Sequence, residues 1–182
     1  MERSTTENPA PDVVLVHSSD LHVDEDHLAT PHCDGTRGLR SVLTAARALG
    51  ADIVLLAGDT FENNHLGAAM IDRVGALLAD AGASIVILPG NHDPALPDSV
   101  FVRGRFDLIP NVSILGVTHE EAVCFPAYDL EIWGQAHRGL LRYGAAARGA
   151  AAFDAVAGGD RARALRAARD AGQSAAPVLG FR

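Results

Sequence analysis

Apolar and polar residues alternate in blocks along the first 90 residues and predict strands and helices in turn. Short apolar runs rich in β-branched residues predict buried strands at residues 13–17, 53–57 and 85–88. Between these runs, apolar residues recur at helical spacing from Leu39 to Leu49 and across residues 68–81. Gly50 and Gly82 follow the two segments directly, as glycine does at helix ends. Alternating strands and helices predict right-handed crossovers and a mainly parallel sheet covered on both faces.

The pattern changes after the third strand. Short strands are predicted at residues 112–115, 122–125 and 130–133, separated by turns, and they indicate a second sheet with antiparallel pairings. An Ala-, Gly- and Arg-rich region follows, with a helix expected at 161–170 and a last strand at 178–181. We therefore expect the α/β class, with two sheets in an α/β/β/α sandwich whose C-terminal part is incomplete. Residues 1–12 are polar and read as a flexible tail, and residues 13–182 as the single, partial domain.

Composition places the chain among ordinary globular proteins, with a hydrophobic fraction of 48% and a charged fraction of 21%. It has neither an apolar run of about 20 residues nor a signal-peptide pattern, so we expect a cytoplasmic protein without membrane contact. Its two cysteines make no disulfide framework, which fits a reducing compartment. The net charge of -8 without any lysine argues against a broad basic surface for nucleic acid. A nuclease is still compatible with this charge, because bound cations offset negative charge where a phosphate sits.

Polar clusters follow each of the first three predicted strands. Asp20 and His22 stand two residues apart at a strand end, so both side chains can point the same way. A carboxylate beside an imidazole suits Mn, Fe or Zn, although a triplet of this kind also arises by chance. Asp59 follows Gly58, where the chain can turn sharply and approach a ligand. The alternative for Asp59 is a helix cap or a turn.

The third cluster runs Gly-Asn-His-Asp-Pro from Gly90 to Pro94. Asn91 offers a neutral carbonyl oxygen, and His92 beside Asp93 suggests an imidazole that a carboxylate orients. Turn chemistry also favours Asn and Asp, but it does not explain the histidine between them. Each interval between clusters holds one helix and one strand, so all three loops should return to the same sheet edge.

These motifs resemble the signature of the calcineurin-like metallophosphoesterases. That signature is Asp-x-His, then Gly-Asp, then Gly-Asn-His-Asp or Glu, and the three clusters match it in order. The flanking sequences VHSSDLH, AGDTFEN and LPGNHDP are most similar to the DNA-repair exonuclease branch, the SbcD type. The resemblance extends over about residues 13–133.

The resemblance implies a centre of two divalent metal ions, with Mn²⁺ preferred and Fe or Zn as alternatives. Asp20 and His22 would hold the first ion, Asp59 would bridge both, and Asn91 would bind the second. His92 would contact the phosphate and protonate the leaving oxygen. Asp93 would steady His92.

The same resemblance implies a metal-dependent phosphoesterase of the phosphodiesterase or exonuclease kind. The substrate would be a phosphodiester, including DNA. A homodimer and an ATPase partner are implied by the branch alone.

One part of the family signature is missing. The family continues with a histidine after a later strand and then Gly-His-x-His, whereas only His119 and His137 follow Asp93 here. His137 comes after a predicted strand and is the better substitute. Two interpretations stay open: a truncated version of a longer enzyme, or a divergent member that kept half of the site. A non-catalytic protein that keeps the fold and part of the metal site is therefore the alternative function.

Overall fold

The computed structural model describes residues 11–25, 34–120, 122–139 and the strand at 153–157. Its first sheet has four parallel strands, which lie in chain order across the sheet. These are β1 (Leu15–Ser18), β2 (Ile53–Ala57), β3 (Ser84–Leu88) and β4 (Val112–Ile114). All five residues of β2 are buried, as expected for a central strand covered on both faces.

Helices connect the parallel strands. Helix α1 (Arg37–Leu49) follows β1, helix α2 (Ala68–Ala79) follows β2, and the short helix α3 (Val100–Arg103) lies between β3 and β4. Helix α1 ends as predicted at Gly50, whose left-handed φ of 62° lets its N–H bond back to the last turn. Turns of 3₁₀ helix occupy Phe106–Leu108 and Pro126–Tyr128.

The second sheet is antiparallel and contains β5 (Ala122–Phe125), β6 (Leu130–Gly134) and β7 (Phe153–Ala157), in that order. Along β6, burial alternates from residue to residue. Ile132 is completely buried, whereas Trp133 is 42% exposed on the opposite face. One face of this sheet therefore packs inward, and the other face of β6 is open to solvent.

The two faces of the parallel sheet bury different side chains. Toward the helices, Val54, Leu56 and Ile87 pack with residues of α1 and α2 in one apolar cluster. Toward the second sheet, a separate cluster joins alternate residues of β2 and β3 to β5 and β6. Its members include Ile53, Leu55, Ala57, Val86, Leu88, Val123, Leu130 and Ile132. The described residues thus form three layers, helices on a parallel sheet on an antiparallel sheet, and the predicted mixed α/β fold with two sheets is confirmed.

One predicted element belongs to a different sheet. Residues 112–115 were expected in the second sheet, but β4 pairs in parallel with β3 and extends the first sheet. The short crossover through α3 returns the chain to the free edge of β3, where Val112 and Ile114 are buried in the cluster beneath the helices. The expectation for β4 was therefore wrong, whereas the antiparallel pairing of β5 with β6 is confirmed.

Strand β7 was not predicted, since it lies in an Ala- and Gly-rich stretch. The expected helix at 161–170, the expected strand at 178–181 and most of the N-terminal tail lie outside the described residues. Within the described part of the chain, no helix combines the length and apolar character that crossing a bilayer requires.

Candidate metal centre

The loops after β1 and β2 run side by side at the carboxyl edge of the parallel sheet. Asp20 N donates to the Gly58 carbonyl at 3.1 Å and His22 N donates to the Asp59 carbonyl at 3.0 Å. Val23 N continues the series to the Thr60 carbonyl at 2.9 Å. Parallel pairing therefore persists beyond the strands and sets the spacing between the first two clusters.

Three of the predicted ligands have left-handed backbone conformations. The φ angle is 53° at Asp20, 47° at His22 and 50° at Asp59. A non-glycine residue in this region costs on the order of 1 kcal/mol or more, and such residues cluster at functional sites. The surrounding hydrogen bonds hold all three residues in this conformation together.

The third loop packs directly on Asp59. His92 N donates to Asp59 Oδ1 at 2.9 Å. At Gly90, a Cβ atom would collide with both the carboxylate and the backbone nitrogen of Asp59. Only glycine permits this approach, so the Gly-Asn-His-Asp motif and the Gly-Asp motif depend on each other.

The donor atoms of Asp20, His22 and Asp59 converge. One ligand atom from each lies within 4.8 Å of the others. His22 Nδ1 is buried and makes no aligned hydrogen bond with a described residue, although the Glu62 carboxylate lies 2.8 Å away. Two carboxylates and an imidazole form a donor set that fits Mn, Fe or Zn. Asn91, the fourth predicted ligand, lies exposed in the third loop beside His92.

Glu62 is a member of the site to which the sequence motifs gave no role. Its Oε2 lies 2.8 Å from His22 Nδ1, and its Oε1 lies 3.6 Å from His92 Nδ1. His92 Nδ1 also lies 3.0 Å from the Glu62 carbonyl oxygen, which can only accept a hydrogen bond, so Nδ1 carries the proton in that contact. The two imidazole rings are nearly perpendicular, with centroids 4.8 Å apart. Glu62 therefore lies between both histidines.

Asp93 lies between the second and third loops. It is completely buried, and its carboxylate accepts hydrogen bonds from Gly90 N at 2.7 Å and Phe61 N at 3.0 Å. Burial raises the pKa of Asp93 to about 7, although the N–H donors of Phe61 and Gly90 act in the opposite direction. Asp93 ties the second loop to the third, and the side chain that faces the His92 ring belongs to Glu62.

A second link joins the same two loops further from the centre. The Asn64 side chain donates to the Pro94 carbonyl and accepts from Val100 N, both at 3.0 Å. Arg103 donates to the carbonyls of Asn64 and Leu66. The loop that carries Asp59 and Glu62 is thus held rigidly against the segment after His92.

Neither candidate substitute histidine joins the donor clusters of the described residues. His119 is exposed, and its Nδ1 lies 2.9 Å from the Thr118 hydroxyl. The backbone of His137 donates to the Pro89 carbonyl at 3.1 Å and accepts from Ala95 N at 2.8 Å. His137 therefore adjoins the third loop through its main chain, while its imidazole is absent from the convergent groups found in that part of the chain.

The described residues thus combine a parallel sheet with a group of carboxylate and imidazole side chains at its carboxyl edge, a group that could hold a metal ion. The model of the calcineurin-like phosphoesterase family matches residues 13–161. The chain belongs to this family, whose members are in general metal-dependent phosphoester hydrolases. A comparison with individual curated proteins gives no match.

Proposed function

We propose that this protein is a metal-dependent phosphodiesterase, exonuclease-like in its motifs, that uses two divalent ions. The observation that carries the proposal is the convergence of Asp20, His22 and Asp59 at one sheet edge, all in strained backbone conformations. Three of the five non-glycine residues with a left-handed φ in the described ranges are these potential ligands, and such residues cluster at functional sites.

Asp20, His22, Asp59 and Asn91 are the residues that would hold the ions. When bound there, two divalent ions would supply an activated water and would offset the charge of the phosphate. Mn²⁺ is the proposed ion because of the family resemblance, and Fe and Zn are alternatives that the same donors could bind.

His92 would act on the leaving oxygen. Its Nδ1 proton is directed at the Glu62 carbonyl, which leaves Nε2 as the ring nitrogen that exchanges a proton with substrate. The Glu62 carboxylate lies beside the same ring, with Oε1 3.6 Å from Nδ1. Asp93 contributes at a distance, since it fixes the loop on which His92 stands.

DNA is the proposed substrate class on the strength of the exonuclease-like motifs. The chain carries a net charge of -8 and no lysine, so attraction to a phosphate backbone would depend on the bound cations and on arginine. A homodimer and an ATPase partner stay predictions that come from the family resemblance.

The test is Mn²⁺-dependent hydrolysis of bis(p-nitrophenyl) phosphate by the metal-loaded protein. Asp59→Asn should abolish turnover, and His92→Ala should lower kcat about 10²–10⁴-fold, as expected for loss of a proton donor. Asp129→Asn is the matched control: Asp129 is exposed and also has a left-handed φ, of 49°, but lies outside the centre. Single-stranded and duplex DNA in the same assay separate a nuclease from a general phosphodiesterase.

The alternative function is metal binding without turnover. It is favoured by the absence of His119 and His137 from the donor clusters of the described residues. Metal binding by a folded protein that hydrolyses none of these substrates would support this alternative and refute the enzymatic proposal. If the wild type and Asp59→Asn hydrolysed the substrate at the same measurable rate, both the enzymatic proposal and the alternative of metal binding without turnover would be refuted.

A further inference from the structure

We propose that His22, Glu62 and His92 form a separate zinc site that competes with the Asp20–His22–Asp59 centre for His22. One ligand atom from each of the three residues lies within 4.8 Å of the other two. Two imidazoles and one carboxylate with an open fourth position are a donor set that Zn²⁺ takes in proteins. We call this group the His–Glu–His cluster.

His22 and Glu62 lie close enough to bind one ion together. Its Nδ1 lies only 2.8 Å from Glu62 Oε2, yet this buried nitrogen makes no hydrogen bond, so the two atoms are close without being aligned. Two donors of one ion, each bonded at about 2.0–2.2 Å, also lie close together while their lone pairs point at the ion rather than at each other. Around a tetrahedral ion two such donors lie about 3.4 Å apart, so His22 and Glu62 would separate by only about half an ångström to share one.

His92 completes the cluster from the third loop. Its ring stands nearly perpendicular to that of His22, and its Nδ1 is 3.6 Å from Glu62 Oε1. Both Nδ1 atoms thus face opposite oxygens of one carboxylate. Coordination through His92 Nδ1 would replace its bond to the Glu62 carbonyl.

Competition follows from the chemistry of His22. A neutral imidazole has one lone-pair nitrogen, so His22 serves one ion at a time. Both convergent groups contain His22, and zinc in the His–Glu–His cluster therefore withdraws it from Asp20 and Asp59. If His92 also has the catalytic role proposed above, zinc inhibits the enzyme; the binding claim itself does not depend on that role.

The experiment is calorimetric titration of the metal-free protein with Zn²⁺. Glu62→Gln and His92→Ala should each weaken zinc binding at least about tenfold, since loss of even an outer contact costs about 10–100-fold. Asp20→Asn should weaken zinc binding less than either of these variants does, since Asp20 belongs only to the other group. His65→Ala is the control for removal of an exposed histidine outside both groups.

Three results would overturn the proposal. The first is an unchanged zinc affinity in Glu62→Gln, and the second is a larger loss of zinc affinity in Asp20→Asn than in Glu62→Gln. The third is an equal loss of zinc affinity in all three variants, which would place one ion across both groups. NMR of the wild-type histidine side chains tests the same claim without substitution. Zinc should shift the His22 and His92 ring signals and leave those of His119 unchanged, and a spectrum without shifts at His92 would refute the cluster.

Discussion

Asp93 shows at the scale of one residue how a buried carboxylate organises the site without touching its histidines. Each of its two oxygens accepts one backbone N–H, from Gly90 and from Phe61. An asparagine can accept only one of these bonds and turns its own N–H₂ toward the other donor. Asp93→Asn should therefore lower the free energy of unfolding by about 1–3 kcal/mol in urea denaturation. The exposed Asp98→Asn should change it little.

The loss of unfolding free energy in Asp93→Asn should depend on pH, and this dependence tests whether burial raises the pKa of Asp93. Because burial raises its pKa from 3.8 to about 7, the folded state keeps this proton at higher pH than the unfolded state. The stability from Asp93 is complete below about pH 4 and is lost as pH rises through 7. In metal-free protein, the difference between wild type and Asp93→Asn should thus narrow from pH 4.5 to 7.5. A difference that widens would mean that the N–H donors outweigh burial.

The stability that His17 contributes changes with pH in the direction opposite to that of Asp93. Comparing the wild type with Asp93→Asn at each pH cancels this contribution. Burial lowers the pKa of His17 below 6.5, so its contribution is present above that value and is lost as pH falls. Both proteins contain His17, and the difference between them isolates Asp93.

At the scale of elements, the close contact of two loops makes Gly90 sensitive. A methyl group there meets the carboxylate and the amide of Asp59, so Gly90→Ala must push the third loop away from the second. We expect Mn²⁺ affinity to fall at least about tenfold in calorimetry, since ligand placement is disturbed. Gly38→Ala in α1 is the control: the nearest atom to its added Cβ is 3.4 Å away, so it should bind Mn²⁺ normally. Normal Mn²⁺ binding by Gly90→Ala would contradict the packing argument.

The sequence predicted those strands and helices that contain a long apolar run or apolar residues at helical spacing. Strands β1 to β3 and helices α1 and α2 were found close to their expected positions, because apolar runs and helical spacing extend over whole elements. Strand β4 has only three residues, and such a short run does not reveal which sheet it joins. Strand β7 has no pattern that separates it from the Ala-rich sequence around it.

The site was predictable to the level of its loops but not of its contacts. The order of motifs indicated that Asp20, His22 and Asp59 meet at one edge, and they do. The sequence predicted that Asp93 steadies His92, and it did not indicate that the Asp93 carboxylate accepts the backbone N–H groups of Phe61 and Gly90. Glu62 reaches His92 from another loop, and such a contact depends on three-dimensional positions that a linear motif does not contain.

At the scale of the whole molecule, the two sheets are held together by the apolar cluster between them. Ile132 on β6 is completely buried there, whereas its neighbour Trp133 faces outward. Ile132→Ala should lower the free energy of unfolding by about 2–5 kcal/mol, since it leaves a cavity between the sheets. Trp133→Ala removes a larger side chain but should cost much less in the same urea titration. Equal costs would mean that the open face of β6 is covered in solution.

The main-chain bonds of His137 have a consequence for the order in which the molecule assembles. His137 lies in the segment after β6, and its backbone bonds to Pro89 and Ala95. These two residues lie on either side of the loop that carries Asn91 and His92. We predict that these contacts form after the parallel sheet does, because they span more of the chain than the pairings between its neighbouring strands. The parallel sheet can therefore exist before its edge is competent to bind an ion. In refolding experiments, the appearance of metal affinity would mark the docking of the second sheet rather than the formation of the first.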